Sequence, residues 1–217
     1  MKINRNRNRN RKIYNKSIYY QNSLCYLSNK KRKSFVRKLK NLNSRELSDV
    51  FCWFKRIKRK DLVGNINRIE DKNLYDVLML CKLLTKEEVR SYLPKLSLDI
   101  LQKILIYNPK ICRENVLKYI HMVDSQCLYN IFYNRLDLTI EDIQNNLKNL
   151  DSFHIICLYQ SNIISKDFLL NNLKYLESKY LLTLFTDKEE TIDKQVIMDN
   201  LKYLNTEDQL QIIKTME

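Results

Sequence analysis

Residues 169–185, LLNNLKYLESKYLLTLF, decide the fold because their apolar side chains fall into two helical patterns. Relative to Leu173, the first group lies at positions −4, 0 and +3, which is one face of an α-helix. The second group lies at +8, +11 and +12 and indicates a second helix. We therefore predict a hairpin of two helices, A and B, of roughly 11 residues each. The first group is Leu169, Leu173 and Leu176, and the second is Leu181, Leu184 and Phe185.

The same pattern recurs along the chain with a period of about 27 residues. Seven anchor residues equivalent to Leu173 are separated by 27, 27, 27, 27, 26 and 28 residues. Positions −4 and +3 carry a large apolar residue in all seven periods, and at position +8 only Gln209 breaks the pattern. The anchors of periods 1 to 7 are Leu39, Ile66, Leu93, Ile120, Leu147, Leu173 and Leu201.

One such hairpin cannot bury both of its apolar stripes, whereas stacked hairpins share a continuous core. The sequence therefore predicts an all-α fold, an α-solenoid of about seven 27-residue helix–turn–helix repeats that spans residues 31–217. In general architecture the pattern resembles the α-solenoid class, which includes tetratricopeptide, ankyrin, HEAT and pumilio-type arrays. The signatures of those families are absent, so the resemblance implies only that such arrays bind a partner along a groove.

Capping residues agree with this register, because hydroxyl, carboxylate and amide side chains precede the predicted helices. Pro94 lies inside the A helix of period 3, where it predicts a kink or an early helix end. A-helix caps are predicted at Thr85, Thr139, Ser165 and Asp193, and B-helix caps at Asn43–Ser44, Ser97, Asp124–Ser125, Asp151–Ser152 and Asn205–Thr206.

Charge is divided unevenly along the chain. Residues 1–60 contain 20 Lys and Arg but only two acidic residues, whereas residues 61–217 contain 19 Lys and Arg and 23 acidic residues. We predict a basic, largely disordered arm at residues 1–30, in which residues 17–27 fit a short capping helix. Such asymmetry favours a polyanionic partner at this end, with nucleic acid first, although a solvated tail, a nuclear-import signal, an anionic-lipid patch and an organelle transit peptide stay open. The predicted polyanion-binding residues are Arg5, Arg7, Arg9, Arg11, Lys12, Lys30, Lys31, Arg32, Lys33, Arg37, Lys38, Lys40, Lys55, Arg56, Lys58, Arg59 and Lys60.

Polar residues that recur beside the anchors give a candidate partner-binding ladder for a protein or peptide. Positions −1 and +1 face away from the apolar stripe, and their amide, hydroxyl and ammonium groups suit hydrogen bonds to a peptide backbone or a base edge. The alternatives to partner binding are a solvent-exposed helix face and an inter-repeat hydrogen-bond ladder. The predicted ladder consists of Asn65, Tyr92, Tyr119, Asn146, Asn172 and Asn200 at −1, and His121, Lys148, Lys174 and Lys202 at +1.

A row of cations at position −7 supports a second function, a nucleic-acid reader that uses the whole array. One cation per repeat suits a phosphate backbone, but acidic residues at −6 and −5 stand beside the row in the middle periods. We therefore rank this function below the adaptor. The row consists of Arg32, Arg59, Lys86, Arg113, Lys166 and Lys194.

Catalytic and cofactor motifs are sparse. The single glycine, Gly64, excludes glycine-rich phosphate loops, and no Cys or His pair has zinc-ligand spacing. Cys127 and His154 share position +7 in adjacent periods, so a Cys/His-dependent enzyme remains a remote alternative. Six scattered cysteines predict reduced thiols in the cytoplasm or nucleus, and no run is apolar enough to span a membrane. The sequence thus predicts a non-enzymatic adaptor without cofactor or metal.

Overall fold

A computed structural model describes residues 37–53, 58–187 and 192–216. These residues form helices joined by short turns, and none of them lies in a β-strand. The chain divides into two compact units. The first extends to Ile104 and includes Asn108–Ile111, whereas the second comprises Leu105–Tyr107 and the chain from Cys112 onward. The all-α prediction is confirmed for the described residues.

Each period from 2 to 7 contains a short α-helix, a three-residue 3₁₀ turn that begins at the anchor, and a longer α-helix. We call the 3₁₀ turns the anchor turns. The A helices are α2 (Arg59–Val63), α4 (Lys86–Tyr92), α6 (Arg113–Tyr119), α8 (Ile140–Asn146), α10 (Lys166–Leu170) and α12 (Lys194–Asn200). The anchor turns are Ile66–Arg68, Leu93–Lys95, Ile120–Met122, Leu147–Asn149, Leu173–Tyr175 and Leu201–Tyr203. The B helices are α1 (Ser44–Trp53), α3 (Asp71–Leu80), α5 (Leu98–Tyr107), α7 (Ser125–Asn134), α9 (Ser152–Gln160), α11 (Ser178–Thr186) and α13 (Thr206–Met216).

The A helices are shorter than the sequence predicts. Their α-helical part has five or seven residues and ends before the anchor, so the prediction of one continuous helix of roughly 11 residues is wrong. A spacing of three residues fits a 3₁₀ turn as well as an α-helix. The Leu176 N–H accordingly donates to the Leu173 carbonyl at 2.9 Å, and both leucines remain buried.

Pro94 is the second residue of the anchor turn Leu93–Lys95. Helix α4 ends before it, as predicted, but Lys148 and Lys174 occupy the same place in anchor turns of the same length. Proline is tolerated in the first turn of a helix, where its missing N–H has no intrahelical acceptor. The early helix end is therefore a property of every described A helix and not an effect of the proline.

The predicted apolar positions form the core of each unit. Positions −4 and +11 are buried in every period that the structure describes at those positions. In the second unit, one buried cluster includes Leu128, Leu147, Leu158 and Leu173. Gln209, the exception at +8, donates its Nε2 to the carbonyls of Leu201 and Leu204, each at 3.0 Å, so its amide closes the last anchor turn.

Most of the predicted capping residues accept a hydrogen bond from a backbone N–H of the helix that they precede. Thr139 Oγ1 accepts from the Asp142 N–H at 3.3 Å, and Asp142 Oδ2 accepts from the Thr139 N–H at 2.8 Å, which completes a capping box. Ser97 makes no side-chain cap bond. The other caps that accept an N–H of their own helix are Thr85, Ser165, Asp193, Asn43, Asp124, Asp151 and Asn205.

Candidate interaction surface

Serines at the start of the B helices bond the following period and not their own helix. The backbone N–H of Glu177 donates to Ser152 Oγ at 2.8 Å, and that of Asn205 donates to Ser178 Oγ at 2.8 Å. Ser125 accepts in the same way from the Asp151 N–H at 2.9 Å. In the first unit, Ser44 and Asp71 accept from Glu70 and Ser97. These side-chain oxygens, four hydroxyls and the Asp71 carboxylate, satisfy a backbone donor that the next B helix leaves without an intrahelical partner.

Two cations of the −7 row form ion pairs with the next period. Arg113 Nε and Nη2 donate to the two carboxylate oxygens of Asp142, at 2.7 and 2.6 Å. The hydrogen bond from Arg113, together with those from Thr139, holds the pKa of the Asp142 carboxyl below its usual value despite its burial. Arg59 makes the equivalent contacts with Glu88, at 2.9 to 3.2 Å. These two guanidinium groups therefore already have anionic partners within the protein.

Other side chains reach back to carbonyls of the preceding period. Arg68 donates to the carbonyls of Leu39, Lys40 and Leu42 at 2.8 to 3.0 Å. Arg135 donates to the Leu105 carbonyl at 3.0 Å from the end of α7. Helix C-termini leave carbonyls without intrahelical partners, so these cations are favourably placed. Sequence reasoning missed both residues. For Arg135, the sequence feature that could have identified this contact is a charged residue directly after an apolar helix.

The asparagines of the predicted ladder bond their own A helix. In each of them, Nδ2 donates to the carbonyl four residues earlier at 2.8 or 2.9 Å. Asn172 is only 5% exposed and also exchanges two hydrogen bonds with Gln144 of the preceding period, at 2.9 and 3.0 Å. These amides close the A helix where it enters the anchor turn. The asparagines concerned are Asn65, Asn146, Asn172 and Asn200.

The +1 half of the ladder is the exposed half. His121, Lys148, Lys174 and Lys202 lie on successive anchor turns of the second unit, and all four side chains are exposed. The ammonium group of Lys174 lies 5.1 Å from the Tyr175 ring centroid, and Lys202 lies 5.1 Å from that of Tyr203. At −1, Tyr92 and Tyr119 are half-buried and contact Lys95 and Lys118 in the same way, at 5.4 and 5.6 Å.

The predicted polyanion-binding residues are only partly described. Arg37, Lys38, Lys40, Lys58 and Lys60 are exposed, as is Arg59, which pairs with Glu88. The fitted capping helix at 17–27 lies outside the described residues, as does the whole arm 1–30. So do Arg5, Arg7, Arg9, Arg11, Lys12, Lys30, Lys31, Arg32, Lys33, Lys55 and Arg56.

Cys127 and His154 do not form an activated pair. Burial raises the pKa of the Cys127 thiol to about 12. The His154 ring is 7% exposed, with Nδ1 2.8 Å from Ser125 Oγ and Nε2 3.0 Å from Gln126 Oε1. Tyr129 stacks on this ring at a centroid distance of 5.4 Å. The imidazole therefore packs between α7 and α9, where Nδ1 lies beside Ser125 Oγ and, at 2.9 Å, Asp151 Oδ1, and Nε2 lies beside Gln126.

The described residues contain no group of three or more His, Cys, Asp or Glu side chains placed to hold a metal ion. Among the helices of the described ranges, none has the length and apolar character needed to cross a membrane. Comparison of the chain with protein-family models, with curated proteins and with solved structures finds no match.

Proposed function

We propose that this protein is a non-enzymatic adaptor, an α-solenoid of about seven 27-residue repeats that binds a protein or peptide along its array. Its basic N-terminal segment engages nucleic acid or another polyanion. The observation that carries the proposal is the recurrence of the same inter-period hydrogen bonds at the same positions within each unit, as at Ser125, Ser152 and Ser178. Arrays joined in this way offer extended surfaces for partners.

Side-chain chemistry supports a binding role over a catalytic one. Burial raises the pKa of Cys52 and Cys127 to about 12, and that of Cys81 and Cys157 above the usual thiol value. Thiols of this kind are poor nucleophiles at neutral pH because the thiolate is scarce. We assign the protein to a reducing compartment, the cytoplasm or the nucleus, in keeping with the five free cysteines of the described residues.

The polyanion role of the N-terminal segment is tested by the salt dependence of binding to a fluorescent 20-nucleotide single-stranded DNA. In the full chain, Arg5, Arg7, Arg9, Arg11 and Lys12 are replaced by Gln. If each contacts a phosphate, the slope of log K against log salt falls by up to about 3.5, since one contact contributes about 0.7 on a single strand.

The matched control removes the same number of positive charges from exposed lysines of the body. We expect this variant to keep a slope of log K against log salt close to that of the parent protein. A control slope that falls as much as the arm variant's would instead favour the nucleic-acid reader that uses the whole array. The control residues are Lys82, Lys86, Lys95, Lys118 and Lys214.

A further inference from the structure

Three anchor turns of the second unit share one eight-residue pattern. The segments are NNLKNLDS (145–152), NNLKYLES (171–178) and DNLKYLNT (199–206). Each has Asn at its second position, Leu at its third and sixth, and Lys at its fourth. We expect each residue that recurs in this pattern to serve either a contact within the fold or a contact with another molecule.

Most positions of the pattern have a reason in the fold. The Asn donates to a carbonyl of its A helix, as in Asn172 to the Phe168 carbonyl at 2.8 Å. The two Leu pack in or against the core cluster. The seventh residue donates its N–H to a serine of the preceding B helix, as Glu177 does to Ser152 at 2.8 Å, and the eighth residue of the first two segments is that acceptor. These contacts leave the first residue of the pattern, the Lys and the residue after the Lys.

The lysines at the fourth position form an exposed row, which we call the lysine row: Lys148, Lys174 and Lys202. Within the described part of the chain, no hydrogen bond or ion pair joins them to another residue. Lys174 and Lys202 lie over the rings of Tyr175 and Tyr203, and the Tyr203 side chain is 37% exposed. An ammonium group beside a tyrosine ring offers a charge and an apolar surface at one point.

The spacing of the row suits an extended peptide. Neighbouring helices pack about 8–10 Å apart, so we expect successive lysines of the row to be separated by a similar distance. An extended chain in the polyproline II conformation advances about 3.1 Å per residue and presents every third side chain on the same face, so three residues span about 9 Å. Carboxylates at every third residue of a peptide would match successive lysines, while the residues between them would lie near Tyr175 and Tyr203.

Charge favours a peptide over nucleic acid at this surface. Residues 112–217 contain 11 Lys and Arg but 16 Asp and Glu, so this part of the chain repels a nucleic acid, with a phosphate at every nucleotide, more strongly than a peptide with one carboxylate in three residues. Asp151 and Glu177 follow Lys148 and Lys174 by three residues and are exposed. A phosphate chain would bring unpaired negative charge to these carboxylates. A peptide with separated acidic residues would avoid them.

We propose that Lys148, Lys174 and Lys202, with Tyr175 and Tyr203, bind an extended segment of a partner protein that has an acidic residue at every third position. This inference rests on the proposed adaptor function and names the chemistry of its partner. The same rings and cations also suit stacked bases and phosphates, so a single-stranded nucleic acid is the alternative that the experiment must separate.

The experiment selects random dodecapeptides displayed on phage against the immobilised full chain in 150 mM salt. Before each round, the library is passed over the variant Lys148→Gln, Lys174→Gln, Lys202→Gln, which removes peptides that bind anywhere else, the basic N-terminal segment included. We expect the retained peptides to carry Asp or Glu at intervals of three. A parallel selection without this subtraction reports on the adaptor function by itself.

Individual retained peptides are then synthesised with a fluorophore and titrated against three full-length proteins. Affinity should fall on the order of tenfold or more in the triple Gln variant, which is the combined effect of three exposed ion pairs. It should change less than about twofold in a control with the same charge change at the exposed residues Lys82, Lys103 and Lys214. Far-UV circular dichroism confirms that all three proteins are equally helical.

Three results would overturn the assignment. If nothing survives subtraction while the parallel selection succeeds, the adaptor binds elsewhere and the lysine row is not its site. If surviving peptides lack the acidic spacing, the partner chemistry is wrong. If peptides fail and the triple variant instead loses affinity for a uridine 20-mer, the row binds nucleic acid. Failure of both selections would count against the adaptor function itself.

Discussion

Replacing Asn172 by Ala measures how much the hydrogen bonds of this buried amide contribute to the stability of the fold. Asn172 Nδ2 donates to the Phe168 carbonyl at 2.8 Å and to Gln144 Oε1 at 3.0 Å, and Oδ1 accepts from Gln144 Nε2 at 2.9 Å. A neutral hydrogen bond contributes about 1 kcal/mol. Because Gln144 is exposed, its amide regains water in the variant, whereas the Phe168 carbonyl loses its donor. We expect Asn172→Ala to lower the free energy of unfolding by about 2–3 kcal/mol.

Two asparagines at the same position serve as matched controls in the same unit. Asn146 and Asn200 are half-buried, and each makes the bond to its own A helix at 2.8 Å. We expect Asn146→Ala and Asn200→Ala to cost about 1 kcal/mol each, the contribution of that single bond. The difference between Asn172 and the controls then isolates the pair with Gln144.

The assay is urea unfolding at 25 °C followed by far-UV circular dichroism, compared at equal m values. A double-mutant cycle with Gln144→Ala should give a coupling energy of about 1 kcal/mol between Gln144 and Asn172. Equal losses for all three asparagines would refute a contribution from the inter-period pair. Losses below about 0.3 kcal/mol throughout would refute the idea that these amides support the A helices.

Three further predictions concern stability, exchange and reactivity. The pKa of Asp142 is lowered in the folded state, chiefly by Arg113. Asp142 therefore contributes stability that is present above the usual Asp pKa of about 4 and is lost as the pH falls through the folded-state pKa. In urea titrations between about pH 5 and 3, Asp142→Asn should lose less stability than the parent protein. Ser152→Ala should accelerate hydrogen exchange of the Glu177 amide at least about fivefold by nuclear magnetic resonance, and unchanged protection would contradict the 2.8 Å bond. Iodoacetamide at pH 8 should alkylate Cys127 at least about a hundredfold more slowly in the native protein than in urea, as judged by peptide mass mapping, because its native thiol pKa is about 12.

The buried positions were predictable because burial in short helices follows local spacing. Leu173 and its equivalents needed only the period and the −4, 0, +3 pattern, and six of the seven anchors are buried. The anchor turn was not predictable from the same pattern. Three residues make one turn of a 3₁₀ helix and nearly one turn of an α-helix, so the spacing of apolar residues does not distinguish them.

The polar half of the candidate site was harder to predict because small polar side chains have several partners within reach. Ser125 and Ser152 follow Asp124 and Asp151, which already cap their helices, and this pairing was a signal that the hydroxyls have another partner. Asn172 was assigned to partner binding although its amide is buried. Spacing placed it correctly beside the anchor, but it gave no information on the carbonyl four residues earlier, which competes for the same donor.

The inter-period bonds at Ser125, Ser152 and Arg135 join residues only 26, 25 and 30 positions apart. Each such contact closes a loop of nearly the same length, and the entropy of closure depends on that length. Lengthening the chain by whole periods would therefore add contacts without raising the mean separation of those contacts. Because folding speed follows contact order, we expect tandem duplication of a period to produce longer proteins that fold about as readily as this one.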